Sequence, residues 1–238
     1  MSLIFITGSG KRLGKALAIS FARHGWDIIL HYNQSEASAS ETERVIKDLG
    51  RKVIKFRADL TDFSGYADSY RHTIDKIGHP DVLVNNAAIY PRRHSLSETD
   101  LELWDKVMDS NVKACFNTAK LFAENAAKGS RIINIASLGA YQIWKGRISY
   151  NVSKAALIQL TKALAKDLAP DIAVNSVSPG YIEIKGEEAV ESGNLKIDSI
   201  PMKRYGEPDD VFDAVYFFSS CSLYITGQNI NVDGGFNL

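Results

Sequence analysis

Short runs of apolar and β-branched residues recur along the chain, and every gap between successive runs holds a longer stretch with helical spacing. The runs are Leu3–Thr7, Asp27–Tyr32, Lys52–Arg57, Asp81–Asn85, Arg131–Ala136, Ile172–Ser178 and Asn229–Val232. The helical stretches are Lys11–His24, Glu36–Leu49, Tyr66–Ile77, Leu101–Lys128, Ile148–Leu168 and Pro208–Ser219. A helix between two strands carries the chain back across the sheet, so the strands it joins run parallel. Several runs are apolar without alternation, as strands covered on both faces must be. Gly25, Gly50 and Gly78 follow helical stretches, where a helix commonly ends in a left-handed residue. The sequence therefore predicts an α/β fold: one Rossmann-type domain over residues 1–238, a doubly wound parallel sheet with helices on both faces. No repeat, low-complexity tract or linker divides it. The least regular part, about 181–207, reads as a substrate loop.

Composition excludes several classes. Lys plus Arg and Asp plus Glu number 28 each, so no global field recruits nucleic acid or an anionic membrane. Cys115 and Cys221 form no disulfide framework and show no metal-ligand spacing. Two reduced thiols near the core fit a cytoplasmic protein. The N-terminus does not read as a signal peptide, and no run approaches the roughly 20 apolar residues that span a bilayer.

Directly after the first strand comes Thr7-Gly-Ser-Gly-Lys-Arg-Leu-Gly14. A strand, then Gly8, Gly10 and Gly14, then a helix opening near Lys11, is the setting in which backbone N–H groups face a pyrophosphate. Leu13 lies within the same turn. At the end of the second strand, where a carboxylate would take the ribose 2′-OH of NAD, the chain has Tyr32, then Asn33, Gln34 and Ser35. Cations are disfavoured at a helix N-terminus, so Lys11 and Arg12 point to a bound anion, with Arg12 as a bidentate partner of the 2′-phosphate of NADP(H).

Tyr150 and Lys154 lie four apart near the start of a helix and share one face. An ammonium beside a phenol favours the phenolate, which suits proton exchange with a carbonyl or alcohol oxygen. Ser137 follows an apolar strand, where parallel sheets place ligand-facing residues.

Taken in order, the glycine loop, Asp59-Leu60, Asn85-Asn-Ala-Ala88, Asn111, Ser137, Tyr150/Lys154, Asn175-Ser-Val-Ser-Pro-Gly180 and Ile225-Thr-Gly-Gln-Asn-Ile-Asn-Val-Asp-Gly-Gly235 resemble the short-chain dehydrogenase/reductase family over essentially the whole chain. The thirteen-residue interval from Ser137 to Tyr150 fits that pattern. The resemblance implies a catalytic tetrad. Tyr150 would be the acid/base, Ser137 would bond the substrate oxygen, and Lys154 would lower the Tyr pKa and hold the nicotinamide ribose. Asn111 would maintain a relay water from the helix at 101–128. It also implies Asp59 and Leu60 beside adenine, Asn85, Asn86 and Ala87 along the cofactor, and Pro179, Gly180 and Ile182 near the nicotinamide. The general pattern is similar to 3-oxoacyl-(acyl carrier protein) reductases. Arg12 stands where the family usually has glycine, a substitution familiar in pteridine reductases. Tyr181-Ile-Glu-Ile-Lys-Gly186 lacks the family's nicotinamide-binding Thr.

The implied activity is NADPH-dependent carbonyl reduction, with 3-oxoacyl thioesters as one candidate substrate class and pteridine or dihydrofolate reduction as the alternative. A non-catalytic sensor would be expected to lack Tyr150 or Lys154. Substrate selection is expected in 181–200, with Glu183, Glu187, Glu188, Glu191 and Asp198 against Lys185 and Lys196. Arg92, Arg93, Lys145 and Arg147 are expected as a basic rim. The helices at 101–128 and 148–168 resemble the pair that forms a four-helix interface in many members of the family, which implies a homotetramer; core packing accounts for most of their apolar positions, Cys115, Phe116, Phe122, Leu157, Leu160 and Leu164.

Overall fold

The computed structural model describes residues 2–186 and 196–238, so the expectations for Glu187, Glu188 and Glu191 lie outside the described residues. Among the described residues, seven strands form one parallel sheet in the order β3-β2-β1-β4-β5-β6-β7. The strands are β1 (Leu3–Ile6), β2 (Asp27–Tyr32), β3 (Val53–Arg57), β4 (Val82–Asn85), β5 (Ser130–Ile135), β6 (Ile172–Pro179) and β7 (Asn229–Val232). Helices alternate with them: α1 (Arg12–Arg23), α2 (Glu36–Asp48), α3 (Phe63–Ile77), α4 (Leu101–Met108), α5 (Ala114–Glu124), α6 (Ile148–Asp167) and α7 (Pro208–Ser220).

The period of two along each strand builds two cores. In β1, Ile4 and Ile6 face one way and pack with Leu17 and Phe21 of α1 and Val211, Phe212 and Val215 of α7. Leu3 and Phe5 face the other way, onto Tyr66 and Tyr70 of α3, Phe122 of α5 and Ala165 of α6. β1 is buried at all four positions for this reason. Phe21 meets Phe212 edge-on at 5.1 Å, joining two helices distant in sequence, and its removal would cost about 3–5 kcal/mol.

Most boundaries fall within one residue of the sequence reading, and two helices differ by more. α3 opens three residues early because the Asp62 side chain accepts from Gly65 N at 3.2 Å and caps it. The stretch expected as one helix over 101–128 is interrupted by a π-helical turn, Asp109–Lys113, and ends at Glu124. Gly25, Gly50 and Gly78 take positive φ, as their places after helices require. No helix among the described residues is long and apolar enough to cross a membrane.

The strand order reverses between β1 and β4. β1 pairs with β2 on one side and β4 on the other, so the loops leaving β1 and β4 diverge and open a crevice at their C-terminal ends.

Candidate active site

That crevice is a cavity of about 1480 Å³, larger than a typical site for one small ligand. Its walls run from the glycine loop to the start of α6 and include Gly8, Lys11, Arg12, Leu13 and Gly14. Tyr32, Asn33, Ser35, Asp59 and Leu60 close one end. Asn86, Ala87, Pro179, Gly180 and Ile182 line the middle, and Ser137, Tyr150 and Lys154 the other end.

Three of the expected cofactor or catalytic residues do not line it. Gly10 instead allows the loop to pack: a Cβ there would lie 2.8 Å from Ser35 Oγ and 3.2 Å from Ala39 Cβ. Asn85 is buried in the sheet, donating to Asn134 Oδ1 at 2.9 Å and accepting from Thr118 Oγ1. Asn111 is also buried behind the wall. Its Oδ1 accepts from Ile89 N at 2.7 Å, and its Nδ2 donates to Ile89 O and Ser153 Oγ, both at 3.0 Å. The π turn that holds Asn111 places this amide between the loop after β4 and α6.

The glycine loop is held from both flanks. Thr7 Oγ1 accepts from Asn86 N and Ala87 N at 2.9 and 3.0 Å, and Asn86 Nδ2 donates to Thr7 O at 2.9 Å. A Cβ on Gly14 would collide with the Gly8 carbonyl oxygen and come 2.5 Å from Asn86 Nδ2. Arg12 is in the left-handed region with φ 53°, a conformation natural for glycine and strained for arginine. Arg57 Nε donates to Asn33 O at 3.0 Å and so fixes the loop after β2.

His31 opens the segment His31-Tyr-Asn-Gln-Ser35, which resembles the pteridine reductase type, but the sequence assigns it no role of its own. It accepts from Gly8 N through Nδ1 at 3.0 Å. Its proton therefore sits on Nε2, which donates to Ala58 O at 3.0 Å. The ring ties the glycine loop to the Asp59 loop, and burial pushes its pKa down to about 4, keeping it neutral. Asp59 Oδ1 accepts from both Thr61 N and Thr61 Oγ1, which holds its carboxyl below the ordinary range.

At the other end, Ser137 caps a short 3₁₀ turn, accepting from Gly139 N at 3.1 Å, and is hydrogen-bonded to the Tyr150 phenol. Burial raises the phenol to about 12, opposed by its bond to Ser137 and by the charge of Arg147. The expected source of that relief was Lys154. Its ammonium instead donates to Ile135 O at 2.8 Å, 5.8 Å from the centre of the Tyr150 ring, and burial pushes its pKa down to about 8. Tyr90 meets Tyr150 edge-on at 4.7 Å, and Trp144 lies nearly parallel to it at 6.1 Å. Of the expected basic rim, Arg93 and Lys145 are exposed and line the cavity, whereas Arg147 is only 3% exposed. Arg147 is a wall residue, not a rim residue.

A buried phenol, a hydroxyl bonded to it and an ammonium one helical turn away can exchange a proton with an oxygen placed between them. The chain's similarities agree with this geometry. A family model described as enoyl-(acyl carrier protein) reductase matches residues 8–237. A 3-oxoacyl-(acyl carrier protein) reductase of Synechocystis sp. is 34% identical, over 97% of this chain and 94% of the relative. A 2-dehydro-3-deoxy-D-gluconate 5-dehydrogenase of Dickeya dadantii is also 34% identical, over 97% and 93%. A short-chain dehydrogenase of Burkholderia cenocepacia, solved in complex with NADP, superposes with TM-score 0.92 at 30% identity, covering 100% of this chain and 98% of that one. Fold, site geometry and full-length similarity converge: the chain belongs to the short-chain dehydrogenase/reductase family.

Proposed function

We propose that this enzyme reduces a carbonyl group to an alcohol with NADPH. The observation that carries the reading is a single cavity joining Arg12 and the uncharged end of β2 to Ser137, Tyr150 and Lys154. The residues present fit NADPH. Gly8 and Gly14 line the cavity where the glycine loop enters α1, the place at which backbone N–H groups face a pyrophosphate, and the loop after β2 offers Asn33 and Ser35 in place of the carboxylate that would repel a 2′-phosphate. Lys11 and Arg12 supply the matching charge. When bound, the cofactor supplies a hydride to the carbonyl carbon.

The chain's own residues do the rest. Tyr150 Oη donates the proton that the carbonyl oxygen takes up, and its raised pKa keeps that proton in place until then. Ser137 bonds the same oxygen and stabilises its developing charge. Lys154, whose ammonium lies 5.8 Å from the centre of the Tyr150 ring, would hold the nicotinamide ribose. Asn111, whose amide is committed to Ile89 and Ser153, fixes the loop after β4 against α6.

The relatives' names offer two carbonyl chemistries, a 3-oxoacyl thioester and an oxo sugar acid. The presence of Arg12 in the glycine loop and of Tyr90 against Tyr150 keeps dihydropterin reduction as a second reading. A panel of thioesters, oxo acids and dihydropterins, followed at the nicotinamide absorbance with NADPH and NADH in parallel, tests the proposal. Carbonyl turnover with NADPH preferred supports it. Turnover of dihydropterin alone would replace it with the second reading, and preference for NADH would remove the cofactor assignment.

The chain assembles as a homotetramer through α4, α5 and α6. Cys115, Phe122 and Leu157 are buried within the chain itself, leaving Phe116, Ile148 and Val152 exposed for that contact. Light scattering at micromolar concentration checks it, a monomeric mass being the contrary result.

A further inference from the structure

One dinucleotide has to bridge two loops that leave different strands: the glycine loop after β1, and Asp59 with Leu60 after β3. β1 and β3 are not neighbours, because β2 lies between them. The strand ladders end at Ile6 opposite Leu30 and at Tyr32 opposite Arg57, so neither ladder fixes the loops that continue beyond them. The side chain of His31, on the middle strand, reaches both. Gly8 N donates to its Nδ1 at 3.0 Å, and its Nε2 donates to Ala58 O at 3.0 Å.

The chemistry of this bridge is particular to a neutral imidazole, which presents an acceptor at one edge and a donor at the other. Phe5 meets the ring edge-on at 6.4 Å, Phe56 lies 5.2 Å from it, and the residue is only 2% exposed. The charged group that faces the ring is Asp59, itself held by Thr61. A buried side chain satisfied at both ends permits one arrangement of the groups it joins. The main chain at the same position makes separate bonds: Ser9 N donates to His31 O at 2.9 Å, and His31 N donates to Ser9 Oγ at 3.0 Å. Those bonds survive replacement of the side chain, so a substitution here tests the ring alone.

We propose that His31 is a positioning residue for the cofactor: it sets the glycine loop and the Asp59 loop at the separation that one NADP(H) molecule bridges. It acts through the two loops, and its contribution is preorganisation, paid in folding and returned as affinity. The whole dinucleotide needs both loops in register, whereas its adenosine end needs only one. The inference rests on NADP(H) as the cofactor and is independent of which carbonyl is reduced.

The experiment titrates NADP⁺ and adenosine 2′-phosphate calorimetrically into the wild-type protein, His31→Phe and His31→Gln. His31→Phe keeps a ring between Phe5 and Phe56 and removes both side-chain bonds. It should weaken NADP⁺ by about 10- to 100-fold, the worth of one or two hydrogen bonds, and adenosine 2′-phosphate by less than about threefold. His31→Gln, which keeps an amide donor and acceptor, should recover part of the loss. With a reducible carbonyl, the loss should fall on KM for NADPH and not on kcat. Equal weakening of both ligands is the mark of a merely structural role and would overturn the proposal, as would NADP⁺ affinity unchanged in both variants. Where His31→Phe melts below the assay temperature, the ratio of the two affinities in His31→Gln decides: a fall of several-fold supports the bridge, and an unchanged ratio overturns it. Absence of NADP⁺ binding by the wild type would overturn it together with the cofactor assignment, whereas NADP⁺ binding without carbonyl turnover would refute the reductase reading alone.

Discussion

Arg12→Gly should stabilise the protein and weaken its hold on NADPH at the same time. The φ of 53° at Arg12 is one that an L side chain adopts at a cost of about 1–2 kcal/mol and glycine at none. Glycine gives back about 0.5–1 kcal/mol of that in chain entropy, so the net gain is about 0–1.5 kcal/mol. In a domain of this size it appears as a rise in Tm of up to roughly 6 °C. Against this, the substitution removes a guanidinium from the phosphate end of the cavity. Loss of a charge-assisted contact to the 2′-phosphate should weaken NADPH by about 10- to 100-fold and leave NADH within about threefold. Thermal melting of the protein without nucleotide, with fluorescence titration of both nucleotides, measures the two effects separately. A variant that loses NADPH and NADH equally would show that Arg12 shapes the loop and does not read the phosphate. A lower Tm would show that the left-handed conformation is not the strain it is taken to be.

Two pH effects follow from buried groups. The folded pKa of His31, about 4, lies below the ordinary 6.5, so the unfolded chain takes up the proton first. The stability it contributes is fully present above about pH 6.5 and is lost as pH falls toward 4, by about 3 kcal/mol for a shift of that size. Urea unfolding across this window should therefore show a shallower pH slope in His31→Gln than in the wild type, and equal slopes would refute the assignment. Lys154, pushed down to about 8, loses its ammonium as pH rises past that value, so kcat/KM for reduction should decline above about pH 8. A profile level from pH 7 to 10 would contradict a charged Lys154 in the reaction.

Much of this was legible in the sequence because binary patterns and motif order are local. The continuous apolar runs became buried parallel strands, and Ser137, Tyr150 and Lys154 line one cavity. What escaped depends on contacts distant along the chain. The π turn at Asp109–Lys113 contains neither proline nor glycine, and its Asn111 is held by Ile89 and Ser153, elements that the local pattern does not show. Gly10 and Asn85 belong to recognisable motifs, but a motif does not say which of its residues face the ligand and which face the core. His31 has no role of its own in the sequence, because its partners are main-chain groups at Gly8 and Ala58. Arg147 reads as one of several surface cations until Tyr90, far earlier in the chain, is found beneath it.

Tyr150→Phe tests the central claim most directly, since it removes one hydroxyl and keeps the ring that packs against Tyr90 and Trp144. With any carbonyl the wild type reduces, single-turnover NADPH oxidation should fall by about 10²- to 10⁴-fold, with the Kd for NADP⁺ changed by less than about threefold. Reduction at the wild-type rate by the variant would contradict Tyr150 as the proton donor and, with it, the proposed chemistry of the site.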